Sequence, residues 1–145
     1  MKKLILAACA AATLTGPTLA QDAPETLVTI LTAPEPQTQL MAMVLAMQAA
    51  KQGAAAHILL CGPAGDIALK DAPASATAPQ PPRDMSPKGL LTKIAGLPGA
   101  KVEVCAIYLP SKGAKADVLM DGVTIAKPPA MAAAMIAPNA RIASY

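Results

Sequence analysis

The fold is decided by the stretch L-V-T-I-L-T-A-P-E-P-Q-T-Q-L-M-A-M-V-L, residues 27–45, where a short apolar run changes into a helical pattern. Residues 27–32 are few, rich in β-branched side chains and followed by Pro34, which is typical of a buried strand. Between residues 37 and 52 the apolar side chains recur at helical spacing, and Pro36 suits the first helical turn. A strand followed by a helix is the building unit of an α/β fold.

The same alternation continues to the end of the chain. Further strands are predicted at residues 56–61, 101–109, 123–126 and 141–145, and further helices at residues 66–70, 88–95, 111–120 and 128–136. Parallel strands need crossover connections, and these connections pack as helices on the two faces of the sheet. The sequence therefore predicts a three-layer α/β/α sandwich with a mainly parallel five-stranded sheet, of flavodoxin-like size. The order of the strands stays open.

The first residues have the layout of a secretory signal peptide. Met-Lys-Lys is followed by an apolar run over residues 4–14 and by the small-residue end at Ala20. A lipoprotein-like box around Cys9 would leave only a very short apolar region, so it is the minor interpretation. We expect residues 1–20 to be removed and residues 21–145 to form a single α/β domain. The predicted location is the periplasm or another exported compartment, without stable membrane insertion.

Composition argues against several classes of partner and cofactor. The chain has 12 basic and 9 acidic residues, and two of the basic ones, Lys2 and Lys3, belong to the signal peptide. Phe and Trp are absent, so stacking platforms for bases are missing and no nucleic-acid partner is expected. One histidine and two remaining cysteines cannot form a tetrahedral metal site without carboxylates of unknown position. No phosphate-binding or dinucleotide-binding glycine pattern is present, and we predict neither a metal nor a cofactor.

Residues 71–85 interrupt the alternation. Their sequence, D-A-P-A-S-A-T-A-P-Q-P-P-R-D-M, is rich in Pro and Ala and poor in large apolar side chains. This composition predicts a loop, long enough to act as a flap.

Two cysteines fall where an α/β sheet gathers its reactive groups, beyond the carboxyl ends of the strands. Cys61 ends the second predicted strand, and Cys105 lies late in the third. Cys105 is either a reactive thiolate, which Lys112 and Lys115 would favour, or a small buried apolar residue. A disulfide to Cys61 is a third alternative, but only if the two strands are neighbours and bring the Cα atoms within about 7 Å. A 2-1-3 strand order would separate them.

A family resemblance enters at these residues. Val104-Cys105, Lys112-Gly113 and the segment L-M-D-G-V at residues 119–123 resemble the DsrE/DsrF group, which includes the TusD-type sulfur-relay proteins. The resemblance extends over residues 27–145. The chain departs from it at Ser111, where many relay members have the first arginine of an Arg-Arg pair, and at Tyr108, where some have a second cysteine.

The resemblance implies that Cys105 would accept sulfur as a persulfide and pass it on, with Lys112 and Gly113 as part of the matching motif. From their own chemistry, Lys112 and Lys115 are candidate supporting residues that favour the thiolate, and Cys61 is a possible second thiol. The resemblance also implies a homo-oligomer, a trimer or hexamer. A sulfur carrier would in addition work with a sulfur donor and with an acceptor protein or small thiol.

Two functions therefore remain open. The protein is either a sulfur carrier or sulfurtransferase that uses Cys105, or a noncatalytic binding or assembly module of the same fold. In the second case its cysteines are structural or disulfide-bonded.

Overall fold

Residues 25–145 are described by a computed structural model, and the predicted signal peptide lies outside the described residues. The strands are β1 (Thr26–Leu31), β2 (Ala55–Leu60), β3 (Lys101–Val104), β4 (Val123–Ile125) and β5 (Ala140–Ser144). The helices are α1 (Pro36–Lys51), α2 (Ala74–Thr77), α3 (Pro87–Ala95), α4 (Tyr108–Ser111) and α5 (Pro128–Met135). Short 3₁₀ helices lie at Gly62–Ala68 and Ala116–Val118.

All five strands belong to one sheet in the order β4-β3-β2-β1-β5, and every neighbouring pair is parallel. The strands advance in one direction from β1 to β4, and β5 then returns to the other side of β1. A right-handed crossover therefore carries α5 to the face opposite α1 and α3. The predicted α/β class and three-layer arrangement are confirmed.

The two faces of the sheet bury different amounts of apolar surface. The larger core lies between the sheet and helices α1 and α3, and includes Met43, Ile58 and Leu91, all fully buried. The smaller core lies under α5, where Met131 packs with Val28 and Leu59. Ile58 and Leu59 enter opposite cores because successive side chains of a strand point to opposite faces.

Local sequence signals set the start of α3. The Ser86 hydroxyl accepts a hydrogen bond from the Gly89 amide at 3.1 Å, and Pro87 occupies the first helical position. These are the preferred residues for a helix N-terminus, because the cap satisfies an orphan amide and proline has none to satisfy. The predicted helix over residues 88–95 is present almost to the residue.

The third strand is shorter than the sequence indicates. It ends at Val104, and the Tyr108 amide donates to the Cys105 carbonyl at 2.9 Å to close a turn. The apolar residues that extended the predicted strand, Tyr108 and Leu109, are buried from the first turn of α4 instead. The helix predicted over residues 111–120 is wrong: α4 ends at Ser111, and Gly113 follows in a left-handed conformation with φ +63°.

Residues 71–85 contain local structure of their own. They include α2, whose Ala76 is buried in the larger core, and an antiparallel bridge between Gln80 and Met85. The segment packs against α3 and the 3₁₀ helix that follows β2. Within residues 25–145, no helix has the length and apolar character needed to cross a bilayer.

Replacing Leu91 by Ala is expected to lower the free energy of unfolding by about 2 to 5 kcal/mol, because the truncation leaves a cavity in the larger core. Denaturant unfolding followed by circular dichroism measures the effect. Leu45→Ala is the matched control, since Leu45 is 44% exposed on α1 and its loss should cost far less. Equal effects of the two variants would contradict the assigned core.

Candidate functional site

The two cysteines are joined at the carboxyl edge of the sheet. Strands β2 and β3 are neighbours, and Leu60 lies opposite Val104 in their register. The residues that directly follow the two strands are Cys61 and Cys105, which lie side by side with a Cα–Cα distance of 5.1 Å and are joined by a disulfide. The observed strand order has β2 beside β3 and therefore allows this bond. The 2-1-3 order, which would separate the two cysteines, is not the one observed.

Backbone hydrogen bonds hold both cysteines in line with the sheet. The Cys61 amide donates to the Leu31 carbonyl and the Cys105 amide to the Leu60 carbonyl, each at 2.9 Å. Both cysteines are partly exposed and pack against the smaller core, and Cys105 also touches the larger one. The disulfide thus lies where both cores reach the rim of the sheet.

A charged cluster joins the segments that follow the two cysteines. The Tyr108 hydroxyl donates to Asp66 Oδ1 at 2.7 Å, and Lys112 Nζ lies 2.7 Å from the same oxygen. Lys112 Nζ also stands 5.4 Å from the centre of the Tyr108 ring, within cation–π range. We call Asp66, Tyr108 and Lys112 the Asp66 clamp, because Asp66 follows Cys61 whereas the other two follow Cys105.

A second connection lies further along the same two segments. The Met120 amide donates to the Ala68 carbonyl at 2.9 Å, and the Lys70 amide donates to the Val118 carbonyl at 2.8 Å. These bonds flank an antiparallel bridge between Leu69 and Leu119. The segments after β2 and β3 are therefore held together by backbone bonds as well as by the Asp66 clamp and the disulfide.

Close packing around Tyr108 depends on Gly65. A Cβ atom at Gly65 would collide with the Tyr108 ring, so only glycine leaves room for the ring. Tyr108 is 3% exposed. Burial, followed by the hydrogen bond and negative charge of Asp66, raises the pKa of Tyr108 well above its ordinary value.

The predicted supporting residues lie on the segment after α4 or at its end. Lys112 is engaged with Asp66, so its ammonium is already paired with a carboxylate. Gly113 is exposed and ends the α4 turn. Lys115 is exposed and precedes the 3₁₀ helix at Ala116–Val118.

A partly buried polar pair lies on the same face of the sheet as the cysteines. His57 Nε2 is 2.6 Å from Glu103 Oε2, and His57 is only 6% exposed. Glu103 lies on β3 and precedes Cys105 by two residues, so both side chains are on the same face of the sheet. Among residues 25–145 no group of three or more His, Cys, Asp or Glu side chains is arranged to hold a metal ion.

Solved structures with the same architecture exist despite very low sequence identity. The YchN protein of E. coli superposes with a TM-score of 0.65 at 14% identity, covering 83% of this chain and 99% of that one. The protein of unknown function MTH1491 of Methanobacterium thermoautotrophicum gives a TM-score of 0.59 at 10% identity, covering 85% of this chain and 100% of that one.

The fold is of the DsrE/YchN type. Identities of 10% and 14% establish the fold alone and carry over neither activity nor membership of the TusD-type group. A scan of protein-family models finds no match, and a search of curated proteins finds none either.

Asp66 and Glu103 are the site residues that sequence reasoning missed. Neither belongs to a recognisable motif, and their partners are 42 and 46 residues away in the chain. One signal pointed to the first of them: a buried tyrosine usually finds a hydrogen-bond partner for its hydroxyl, and this chain has only two tyrosines.

Gly65→Ala is expected to destabilise the protein by about 1 to 3 kcal/mol, because the added methyl group displaces the Tyr108 ring. Chemical denaturation measures the change. Gly96→Ala is the matched control, because Gly96 has an ordinary φ of −85°. A Cβ atom at Gly96 would lie 3.6 Å from its nearest neighbour, the Lys93 carbonyl oxygen. A Gly65→Ala protein as stable as the Gly96→Ala protein would contradict the close packing.

Tyr108 is expected to keep its proton at pH values where an unfolded tyrosine, with a pKa near 10, loses it. Its contribution to stability is therefore present below about pH 10 and is lost as the pH rises further, because the unfolded chain gives up the proton first. In a Tyr145→Phe variant, tyrosinate absorbance reports Tyr108 alone.

The tyrosinate signal of that variant should appear only together with loss of far-ultraviolet circular dichroism. The same variant in denaturant gives the reference titration. Reversible ionisation near pH 10 with unchanged dichroism would show that Tyr108 is neither buried nor bound to Asp66.

Proposed function

We propose that this protein is an exported sulfur-handling protein in which Cys105 carries sulfur as a persulfide. The observation that carries the proposal is the Cys61–Cys105 disulfide at the carboxyl edge of two neighbouring parallel strands. This edge is where α/β folds present reactive groups, and both cysteines are partly exposed there. The assignment of the carrier role to Cys105 rests on the resemblance of its segment to the DsrE/DsrF group.

The carrier chemistry begins from the reduced pair. A dithiol reductant reduces the Cys61–Cys105 disulfide to two thiols and is itself oxidised to a disulfide. The Cys105 thiolate then attacks the terminal sulfur of a persulfide or polysulfide donor. A new S–S bond forms at Cys105, the S–S bond of the donor breaks, and the donor leaves as a thiolate with the electron pair.

In an oxidising compartment the disulfide would protect the carrier thiol between cycles. A free thiolate is open to stepwise oxidation to sulfenic, sulfinic and sulfonic acids, and the last two steps are largely irreversible. A disulfide is reversible and blocks that route. The export of the protein and the presence of a second thiol therefore fit one another in this proposal.

A homo-oligomer, a trimer or hexamer, is part of the proposal. Six large apolar side chains are exposed in the described chain, and the two most exposed are Ile136 at 83% and Ile107 at 78%. Ile107 lies two residues after Cys105, so a partner seated on it would lie beside the disulfide. A sulfur donor and an acceptor protein would reach the same edge of the sheet.

The alternative is a noncatalytic binding or assembly module with a structural disulfide. The disulfide itself favours it, since a crosslink that closes a loop of this size stabilises a domain by roughly 2 to 4 kcal/mol. Under this alternative neither cysteine takes up sulfur.

Intact mass spectrometry of a Cys61→Ser variant tests the carrier role. The variant is exported, reduced, freed of reductant and exposed to inorganic polysulfide, in a Cys9→Ser background that removes the third cysteine of the sequence. A gain of about 32 Da that maps to Cys105 and vanishes on reduction is expected, because the Cys105 thiolate becomes a persulfide. Cys105→Ser in the same background is the matched control. No gain in the first variant, or an equal gain in the control, would overturn the proposal and leave the structural module.

A further inference from the structure

Cys61 lies next to Cys105, and this proximity determines what happens to a sulfur atom bound to Cys105. We infer that Cys61 discharges this sulfur as hydrogen sulfide, so that the pair acts as a sulfane-sulfur reductase. The inference rests on the proposed function, because Cys105 must first accept the sulfur. It adds a product and a role for Cys61 that neither the fold nor the carrier role supplies.

The first support is the position of the two cysteines. They directly follow the last register pair of β2 and β3, their Cα atoms are 5.1 Å apart, and a disulfide joins their sulfurs. In a Cys105 persulfide the sulfur attached to Cβ keeps that position. Cys61 is therefore placed to attack it without movement of the sheet.

The second support is that the two cysteine segments are joined independently of the disulfide. Asp66 accepts from Tyr108 and pairs with Lys112, each at 2.7 Å. The backbone bonds of Met120 to Ala68 and of Lys70 to Val118 add a second link. Opening the disulfide therefore leaves the two thiols side by side.

Confinement of the two thiols determines which reaction is faster. A thiol held beside its target reacts intramolecularly, with an effective concentration far above that of any acceptor in solution. A persulfide on Cys105 therefore meets Cys61 before it meets a separate acceptor protein. The structure thus favours discharge of the sulfur at this site over its relay to another protein.

The discharge step balances without a further reactant. The Cys61 thiolate attacks the Cys105 sulfur attached to Cβ, and the Cys61–Cys105 disulfide forms. The bond between that sulfur and the outer sulfur breaks, and the outer sulfur leaves with the electron pair as hydrosulfide. The outer sulfur is reduced and the cysteine pair is oxidised, so each further cycle needs a dithiol reductant.

A single-turnover experiment tests the inference. The wild-type protein and the Cys61→Ser and Cys105→Ser variants, all in the Cys9→Ser background, are reduced and freed of reductant. Each is mixed with a small-thiol persulfide from which free sulfide has been removed. Released sulfide is trapped and counted per chain, while the protein is analysed by intact mass. The Cys105→Ser protein and the donor alone give the background.

The wild-type protein is expected to release about one sulfide per chain and to end with the Cys61–Cys105 disulfide. The Cys61→Ser protein should retain about 32 Da at Cys105 and release at least about tenfold less sulfide in the same time. Asp66→Asn should slow sulfide release but not sulfur uptake, because it weakens the clamp. Asp117→Asn is its control, since Asp117 is exposed and lies outside the clamp.

The two proposals fail in different ways. If wild type keeps a stable persulfide and releases no sulfide, the reductase inference is overturned and the carrier role stands. Equal release from wild type and Cys61→Ser overturns it as well. If the Cys61→Ser protein takes up no sulfur, the carrier role falls and the inference falls with it. Circular dichroism of each reduced protein excludes unfolding as the cause.

Discussion

The parallel pairing of β2 with β3 is the constraint on which the rest of the site depends. It places Leu60 opposite Val104, and the residue that follows each strand is a cysteine. A shift of one residue in this register would turn every following side chain to the other face of the sheet. The large apolar side chains of β2 and β3 prevent that shift, because Ile58 and Val102 must both enter the larger core.

The same pairing explains why the segments after the strands meet. The segments after β2 and β3 leave the sheet at the same edge. Each begins with a short helix, and the two helices pack on one another. Gly65 admits the Tyr108 ring, and the ring delivers its hydroxyl to Asp66. The disulfide is therefore one of several links between these segments rather than the sole one. The two segments therefore do not depend on this crosslink alone, unlike those of a small domain that is held together by its disulfides.

Local patterns were sufficient to predict the fold class and to place both cysteines near the carboxyl ends of their strands, but not to predict the strand order or the contacts of the site. The apolar spacing that forms α1 and the Ser86 cap of α3 are short-range signals, and both elements occur close to where the sequence predicts them. The end of β3 was misplaced because residues 105–109 are apolar, and an apolar run is compatible with a strand as well as with a buried helical turn. Only the turn that the Tyr108 amide closes shows which of the two these residues form. The strand order and the contact of Asp66 with Tyr108 both depend on pairings between residues that are far apart in the chain. No local sequence pattern encodes such pairings.

The two edges of the sheet restrict how copies of the chain can associate. An exposed strand edge offers unpaired backbone groups to a neighbour, and proteins guard against this with short strands and charged residues. Strand β4 has three residues and is followed closely by Lys127, and β5 carries Arg141, which pairs with Glu25 at 3.1 Å. Continuation of the sheet from one copy into the next is thus disfavoured at both edges. Any assembly of this domain would have to use its helical faces and rim loops, and the exposed Ile107 would bring that contact next to the disulfide.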